Sequence, residues 1–437
     1  MEAVSLSHHL AKISGGVSKI AYAIFFVNVF AYGRAFFATI FATRISHEAV
    51  IALSFSMSIM TVANMIIFGI LSIIGMDIAG AKCQASYQNC IAKYVKISGL
   101  LCVSVLLLAI FFSLFSYYYI GLLAAKFILI YSIGFIPFIF SSALRYILLA
   151  KSYSKIIKIT NIITFIICIS VTLACYYLFE SVSIVSFAYG CIIGFLYNFF
   201  HLLYFSLKRN IINTSFFKYI KYIKFSECLS FIYEGFKVSL VYASDSIICA
   251  IIIMLTLSYD ESYVIAVQIT LQLFLFSSFW ITGFANGLMI ELPKYKSVYK
   301  SKKSLKLIIR YIFKNSIIYF LLVSLIFILF SKIILEYIFN LHGLSYKVAH
   351  IEVYMVTILV LFDFIRQSLF YILRLFNQVM GAVIISYICL FFSVFLMFLV
   401  KFMDKSPVYF LFLYILSCLV ILIIYFIKIY NNNFLRS

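Results

Sequence analysis

Two aspartates stand in the middle of otherwise apolar runs, Asp245 in SLVYASDSIICAIIIML and Asp363 in VTILVLFDFIRQSLFYIL. A carboxylate in such surroundings must take up a proton, bind a metal cation or find a basic partner, because burial alone disfavours its charged form. The first two outcomes neutralise the site reversibly, as a cation-coupled carrier requires, and Na+ is the metal that Asp245 and Asp363 would hold. Blander roles stand beside this one. Asp245 also suits a hydrogen bond between helices. Asp363 has Arg366 three residues on, on the same helical face, as a static partner.

Fewer polar groups accompany the acids. Arg34, in FAYGRAFFA, suits an anionic substrate, and equally suits snorkelling to the membrane surface or pairing with an acid elsewhere. Gln268 and Gln272 are four apart and share a helical face, where they would line a cavity as substrate contacts or tie helices together. Asp77 and Glu291 sit at the ends of apolar runs, where charge costs little, and read as loop or gate residues. Trp280 is mid-span and not placed as an interfacial anchor. Most of the ten cysteines, among them Cys102, Cys168, Cys175, Cys191 and Cys249, lie inside apolar runs and read as small core residues without metal-ligand spacing.

The elements that carry these residues are set by composition. Of 437 residues 65% are hydrophobic and 11% charged, against roughly 25% charged in soluble domains. Apolar stretches of bilayer length recur along the chain. They predict spans near 17–42, 49–76, 95–117, 126–149, 157–179, 183–206, 229–257, 263–290, 308–338, 352–374, 379–401 and 407–429. The opening MEAVSLSHHLAKISGG lacks the compact apolar core of a cleaved signal. The net charge of +20 would point to nucleic acid in a soluble protein; here it arises from basic cytoplasmic loops, and no nucleic-acid partner is expected. The 208–227 connection holds Lys208, Arg209, Lys218, Lys221 and Lys224. The 291–314 connection holds Lys294, Lys296, Lys300, Lys302, Lys303, Lys306, Arg310 and Lys314. The turn LSYDES between spans seven and eight has Asp260 and Glu261 and no base. This alternation predicts both termini in the cytoplasm.

Sliding the chain against itself by 214 positions brings Val50-Ile51-Ala52 onto Val264-Ile265-Ala266, Gly69 onto Gly283, Asp77 onto Glu291 and Lys82 onto Lys296. A common register over a whole span indicates an internal repeat. Six spans per copy make the second copy enter the membrane in the same sense as the first, so the halves should be related by an axis along the membrane normal. The expected fold is an all-α membrane protein of twelve transmembrane helices in two pseudo-symmetric six-helix bundles. Residues 1–206 form the first bundle, 207–228 a basic cytoplasmic linker and 229–437 the second bundle.

Three stretches resemble the multidrug and toxic compound extrusion (MATE) transporters of the wider flippase superfamily: HEAVIALSFSMSIMTVANMIIFGILSIIGMDIAGA at span two, EGFKVSLVYASDS with SYVIAVQITLQ at the start of the second half, and DFIRQSLFYILR in span ten. The resemblance runs over nearly the whole chain. It puts Asp245 at the family's span-seven acid and Gln268 at a glutamine common in span eight. Asp363 and Arg374 fall on the span-ten acid and the arginine of a Leu-Arg pair eleven positions later, with Leu144-Arg145 matching in span four. In NorM-like members the two acids form a cation site in the second half. The first half departs from the pattern, with Ala38 at the family's span-one Asp and Thr164 near its span-five Asn, so the resemblance implies coupling in the second half alone.

The expected activity is antiport: export of organic, cationic or amphipathic compounds against Na+ or H+, with no cofactor beyond the coupling ion and no enzymatic activity. The chain would work as a monomer in the bilayer of a bacterial inner membrane, with a small organic substrate and the coupling cation as its partners. Each charge crossing the field contributes roughly 2.3 kcal/mol per 100 mV. Two other classes stay open. A lipid-linked oligosaccharide flippase would use Arg34 on a pyrophosphate. A non-transporting scaffold or immunity-type protein would have no need of mid-membrane acids.

Overall fold

The computed structural model describes all residues except 1, 75–76, 79–82, 152, 179–183, 213–215, 293–301, 376–377 and 432–437. Lys82, Lys294, Lys296 and Lys300, and the side chain of Arg374, therefore lie outside the described residues.

The long apolar runs fold as helices because a bilayer leaves the backbone no other donors and acceptors. In order they are α1 (Glu2–Ile45), α2 (His47–Ser72), α3 (Gln84–Tyr119), α4 (Leu122–Ala150), α5 (Ser154–Leu178), α6 (Val185–Lys208), α7 (Phe225–Thr256), α8 (Glu261–Glu291), α9 (Lys302–Lys332, continued as a π-helical turn Ile333–Ile338), α10 (Gly343–Leu375), α11 (Val379–Phe402) and α12 (Val408–Tyr430). A short helix, Phe216–Ile220, lies between α6 and α7. Eleven of the twelve are long and apolar enough to cross a membrane, and α7 contributes the apolar stretch Ala243–Thr256. The chain is a multi-pass, all-α membrane protein of twelve transmembrane helices. Side chains such as Leu321, Leu325 and Ile328 on α9 and Phe391 and Phe395 on α11 are exposed, a surface that lipid solvates and water would not.

Local chemistry marks the helix ends. Ser46 caps α2, its hydroxyl accepting from the Ala49 N–H at 3.1 Å. Asp260 caps α8 through the Ser262 N–H at 2.8 Å, and these contacts with Ser262 hold its carboxyl below the usual carboxylate range. Between α3 and α4 the chain reverses through Gly121 at φ 122°, a conformation glycine adopts without steric cost.

Contacts divide the chain into two compact units, Gly33–Ala250 and Met1–Tyr32 with Ile251–Ser437. Their edges fall inside α1 and α7, whereas the division read from sequence runs through the 207–228 linker. The cause is visible at the paired glycines of the repeat. In the first unit a Cβ on Gly69 of α2 would overlap the backbone of Ser239 on α7. In the second, a Cβ on Gly283 of α8 would stand 2.7 Å from the Ala21 carbonyl oxygen on α1. Each opening segment of α1 and α7 thus packs, backbone against glycine, on the second helix of the other half of the sequence.

In the unit Gly33–Ala250, α4 packs on α2, α3 and α6, and α5 on α6. Lys96 donates to the Ile223 carbonyl at 2.7 Å, tying the polar connection to α3. In the other unit α10 is central, packed on α8, α9 and α12. Tyr425 of α12 donates to the Ala382 carbonyl of α11 at 3.0 Å. Trp280 of α8 is held within this unit edge-on by Tyr22 and Phe25 and stacked by Tyr319.

Candidate functional site

Asp363 sits on α10, fully buried, twenty residues into a helix that begins at Gly343. Its neighbour one turn on, Arg366, is only 5% exposed. Arg366 donates to Asp363 Oδ1 from Nε at 3.2 Å and from Nη2 at 2.5 Å. Gln367 Nε2 donates to Oδ2 at 2.9 Å. Both carboxylate oxygens are therefore engaged, and the charge is neutralised by a guanidinium of the same helix. This contact is the same-helix pair that the sequence left open beside a cation site. A metal cation does not fit an acid already held by Arg366, and among the described residues no three His, Cys, Asp or Glu side chains converge to hold a metal.

Asp245 lies on α7, half-buried, in the unit Gly33–Ala250, whereas Asp363 belongs to the other unit. It is flanked by the buried Ser244 and Ser246. Gln268 on α8 is buried and Gln272, one turn on, half-buried.

Arg34 stands on α1 just inside the unit Gly33–Ala250. Its guanidinium carbon is 4.6 Å from the centroid of the Phe195 ring on α6. Among the described residues no carboxylate pairs with it. Ala38 is fully buried one turn along α1.

Two polar groupings join residues that, Thr164 apart, the sequence did not mark. One joins α5 to α6: Asn198 Nδ2 donates to Thr164 Oγ1 at 3.0 Å and to Asn161 Oδ1 at 3.3 Å. One turn along, Thr160 Oγ1 is 2.8 Å from His201 Nδ1. The other joins α8 to α10: Thr270 Oγ1 is 2.7 Å from Glu352 Oε2, and Glu352 is fully buried. A scan for apolar runs begins the tenth span at 352 and so reads Glu352 as a boundary residue. The helix in fact starts at Gly343, and the signal that would have found it is the helical pattern of GLSYKVAHIEVY ahead of the apolar run.

Family models and curated protein sequences give no match to this chain. Solved structures do. An inward-facing multidrug resistance MATE family transporter of the MOP superfamily superposes with a TM-score of 0.78 at 13% identity, over 93% of this chain and 96% of that one. The eukaryotic MATE transporter AtDTX14 gives 0.67 at 14% identity, over 98% of each chain. A MOP superfamily transporter from Pyrococcus furiosus, described as having a binding pocket of reversed polarity that suggests a different function, gives 0.71 at 12%, over 94% of each chain. The chain has the fold of the MATE transporters.

Proposed function

We propose that this protein is a transporter that exports organic cationic or amphipathic compounds by antiport with Na+ or H+, working by alternating access. The observation that carries the reading is a MATE fold with ionisable groups deep in its helices, at Asp363, Arg366 and Asp245. Such groups mark ion and substrate paths in membrane proteins. Because Arg366 neutralises Asp363, the exchangeable cation is assigned to Asp245, with the Asp363–Arg366 pair as a fixed polar element. Gln268 and Gln272 contribute amide contacts to the substrate. A ligand moves the access equilibrium only by its differential affinity for the two states, so cation and substrate must each prefer one. The alternating loop charge supports cytoplasmic termini, and a bacterial inner membrane is the matching location, with the chain acting as a monomer and as a carrier, not an enzyme.

Arg34 favours a second reading. A half-buried guanidinium with no carboxylate partner among the described residues suits an anionic group, such as the pyrophosphate of a lipid-linked sugar. Transport in proteoliposomes under imposed Na+ or H+ gradients, with cationic dyes beside a lipid-linked sugar, separates the two. Gradient-driven dye movement supports antiport of organic compounds. Gradient-independent flipping of the lipid-linked sugar, with no dye movement, overturns it in favour of the flippase.

A further inference from the structure

We propose that Glu352, with Thr270, is a proton-carrying site of this protein, distinct from both Asp363 and Asp245. Its use in coupling rests on the antiport reading; the binding of the proton does not.

The placement is specific. Thr270 is nine residues into α8 and Glu352 nine residues into α10. At 1.5 Å per residue each lies about 14 Å from the start of its helix, and Glu352 lies about 16 Å along α10 from Asp363. The surroundings are apolar: Val267, Val348, Ala349 and Val356 are buried on the adjoining turns. The elements packed against α10 carry Glu261 on α8, Lys332 and Glu336 on α9 and its π-turn, Lys401 on α11 and Tyr414 on α12, and α10 itself carries Lys347 and His350. None of these bonds to Glu352, whose hydrogen bond among the described residues is to Thr270. Its second oxygen, Oε1, is buried with no partner among the described residues. A bare carboxylate in such a place is costly, and one hydroxyl is too small a ligand set to hold a metal cation there. A proton is the remaining counter-charge.

The hydroxyl of Thr270 makes both protonation states workable. Its oxygen is 3.0 Å from the Ala266 carbonyl, 3.0 Å from the Val267 carbonyl and 2.7 Å from Glu352 Oε2. Threonine has one proton to give and can accept as well. With Glu352 ionised, Thr270 donates to Oε2. With Glu352 protonated, the carboxyl donates to Thr270, and the threonine proton turns back to a carbonyl of its own helix. One proton moves on or off the carboxyl, and a hydroxyl rotation re-pairs the site without moving either helix. A merely structural tie between α8 and α10 would need only one of these arrangements.

The test is infrared spectroscopy of the purified full-length protein in lipid across a pH titration, following the C=O stretch of protonated carboxyl groups. Expected is a band present in the wild type, absent in Glu352→Gln and lost reversibly at alkaline pH while the protein stays folded. Glutamine keeps the size and the hydrogen bond, so folding should survive; should it not, Thr270→Val, which cannot donate, is expected to change the pH at which the band is lost. A carboxyl spectrum unchanged by Glu352→Gln, or a band that persists until unfolding, overturns the proposal. In proteoliposomes Glu352→Gln should lower H+-driven transport at least tenfold at equal amounts of folded protein, with Glu352→Asp retaining part. An equal rate and an unchanged pH profile overturn the coupling role. A wild type that moves no substrate sinks the antiport reading instead, and the infrared titration still decides whether Glu352 carries a proton.

Discussion

The helices α4, α5 and α6 hold no acidic residue, while α8 and α10 together hold Glu261, Glu291, Glu352 and Asp363. Buried polar groups of the first set include the neutral Asn161, Thr164 and Asn198, and a cation, Arg34, packs on Phe195 of the same helix as Asn198. The contrast is sharpest at matched positions. Eleven residues before Arg374 stands Asp363; eleven before Arg145 stands Gly134. A Cβ at Gly134 would come 3.1 Å from the Phe195 ring, and that same ring carries Arg34 on its face. Where one half has an acid clamped by its own arginine, the other has a gap that admits an aromatic ring beneath an arginine. The repeat preserves the crossing glycines and the helix order, and it lets the polar chemistry of its two copies diverge in sign.

The largest test of that divergence removes the acid assigned to coupling. Asp245→Asn should abolish gradient-driven transport while leaving folded protein in the membrane, measured as dye movement per unit of purified transporter. Retained coupling in this variant would mean that the exchangeable cation binds elsewhere. The next effect should fall on stability. Asp363→Asn leaves Arg366 buried without its carboxylate, and breaking a buried pair costs about 3–5 kcal/mol. The double variant Asp363→Asn with Arg366→Gln should recover much of the folded yield, since it removes both charges together. Thermal unfolding in detergent reads this difference; equal losses in the single and double variants would show that Asp363 does not depend on Arg366.

The contrast sharpens further at the neutral cluster. Asn198→Ala strips donors from Thr164 Oγ1 and Asn161 Oδ1, and buried polar atoms left without partners cost about 1–3 kcal/mol. Because no charge is involved, the loss should be the same at pH 6 and pH 8. A pH-dependent loss would bring His201, beside Thr160, into the same network.

The fold was legible because a bilayer enforces it: runs of bilayer length and alternating loop charge need no tertiary knowledge. The Asp363–Arg366 spacing left a same-helix pair open, but only beside the cation site expected at Asp363, because spacing alone does not say which way an arginine turns. Glu352 and the Asn161–Asn198 contact were hidden for different reasons. Glu352 is preceded by Tyr346, Lys347 and His350, so hydropathy begins the span too late, although the helix extends further back. Asn161 and Asn198 are 37 positions apart, and a neutral amide inside an apolar run says nothing about its partner until two helices are brought together. The 214-residue offset marked Gly69 and Gly283, but only the crossings with Ser239 and Ala21 explain why no side chain is tolerated there.

The smallest effect expected concerns Arg34, and it bears most directly on which way the two halves differ. It makes a cation–π contact with Phe195, and exposed to partly buried cation–π contacts are worth about 0.5–2 kcal/mol. Arg34→Lys preserves the charge but not the planar fork; Arg34→Gln removes the charge. A structural Arg34 should show both changes as a modest drop in folded protein, with transport per folded molecule unaltered. An Arg34 that meets an anionic group should show little change in yield, a partial loss of substrate affinity in the lysine variant and a larger one in the glutamine variant. Measured as KM against folded amount in the same membranes, the two outcomes do not overlap. The absence of a carboxylate partner among the described residues favours the second, because a static guanidinium in a membrane interior would ordinarily be held by an acid, as Arg366 is.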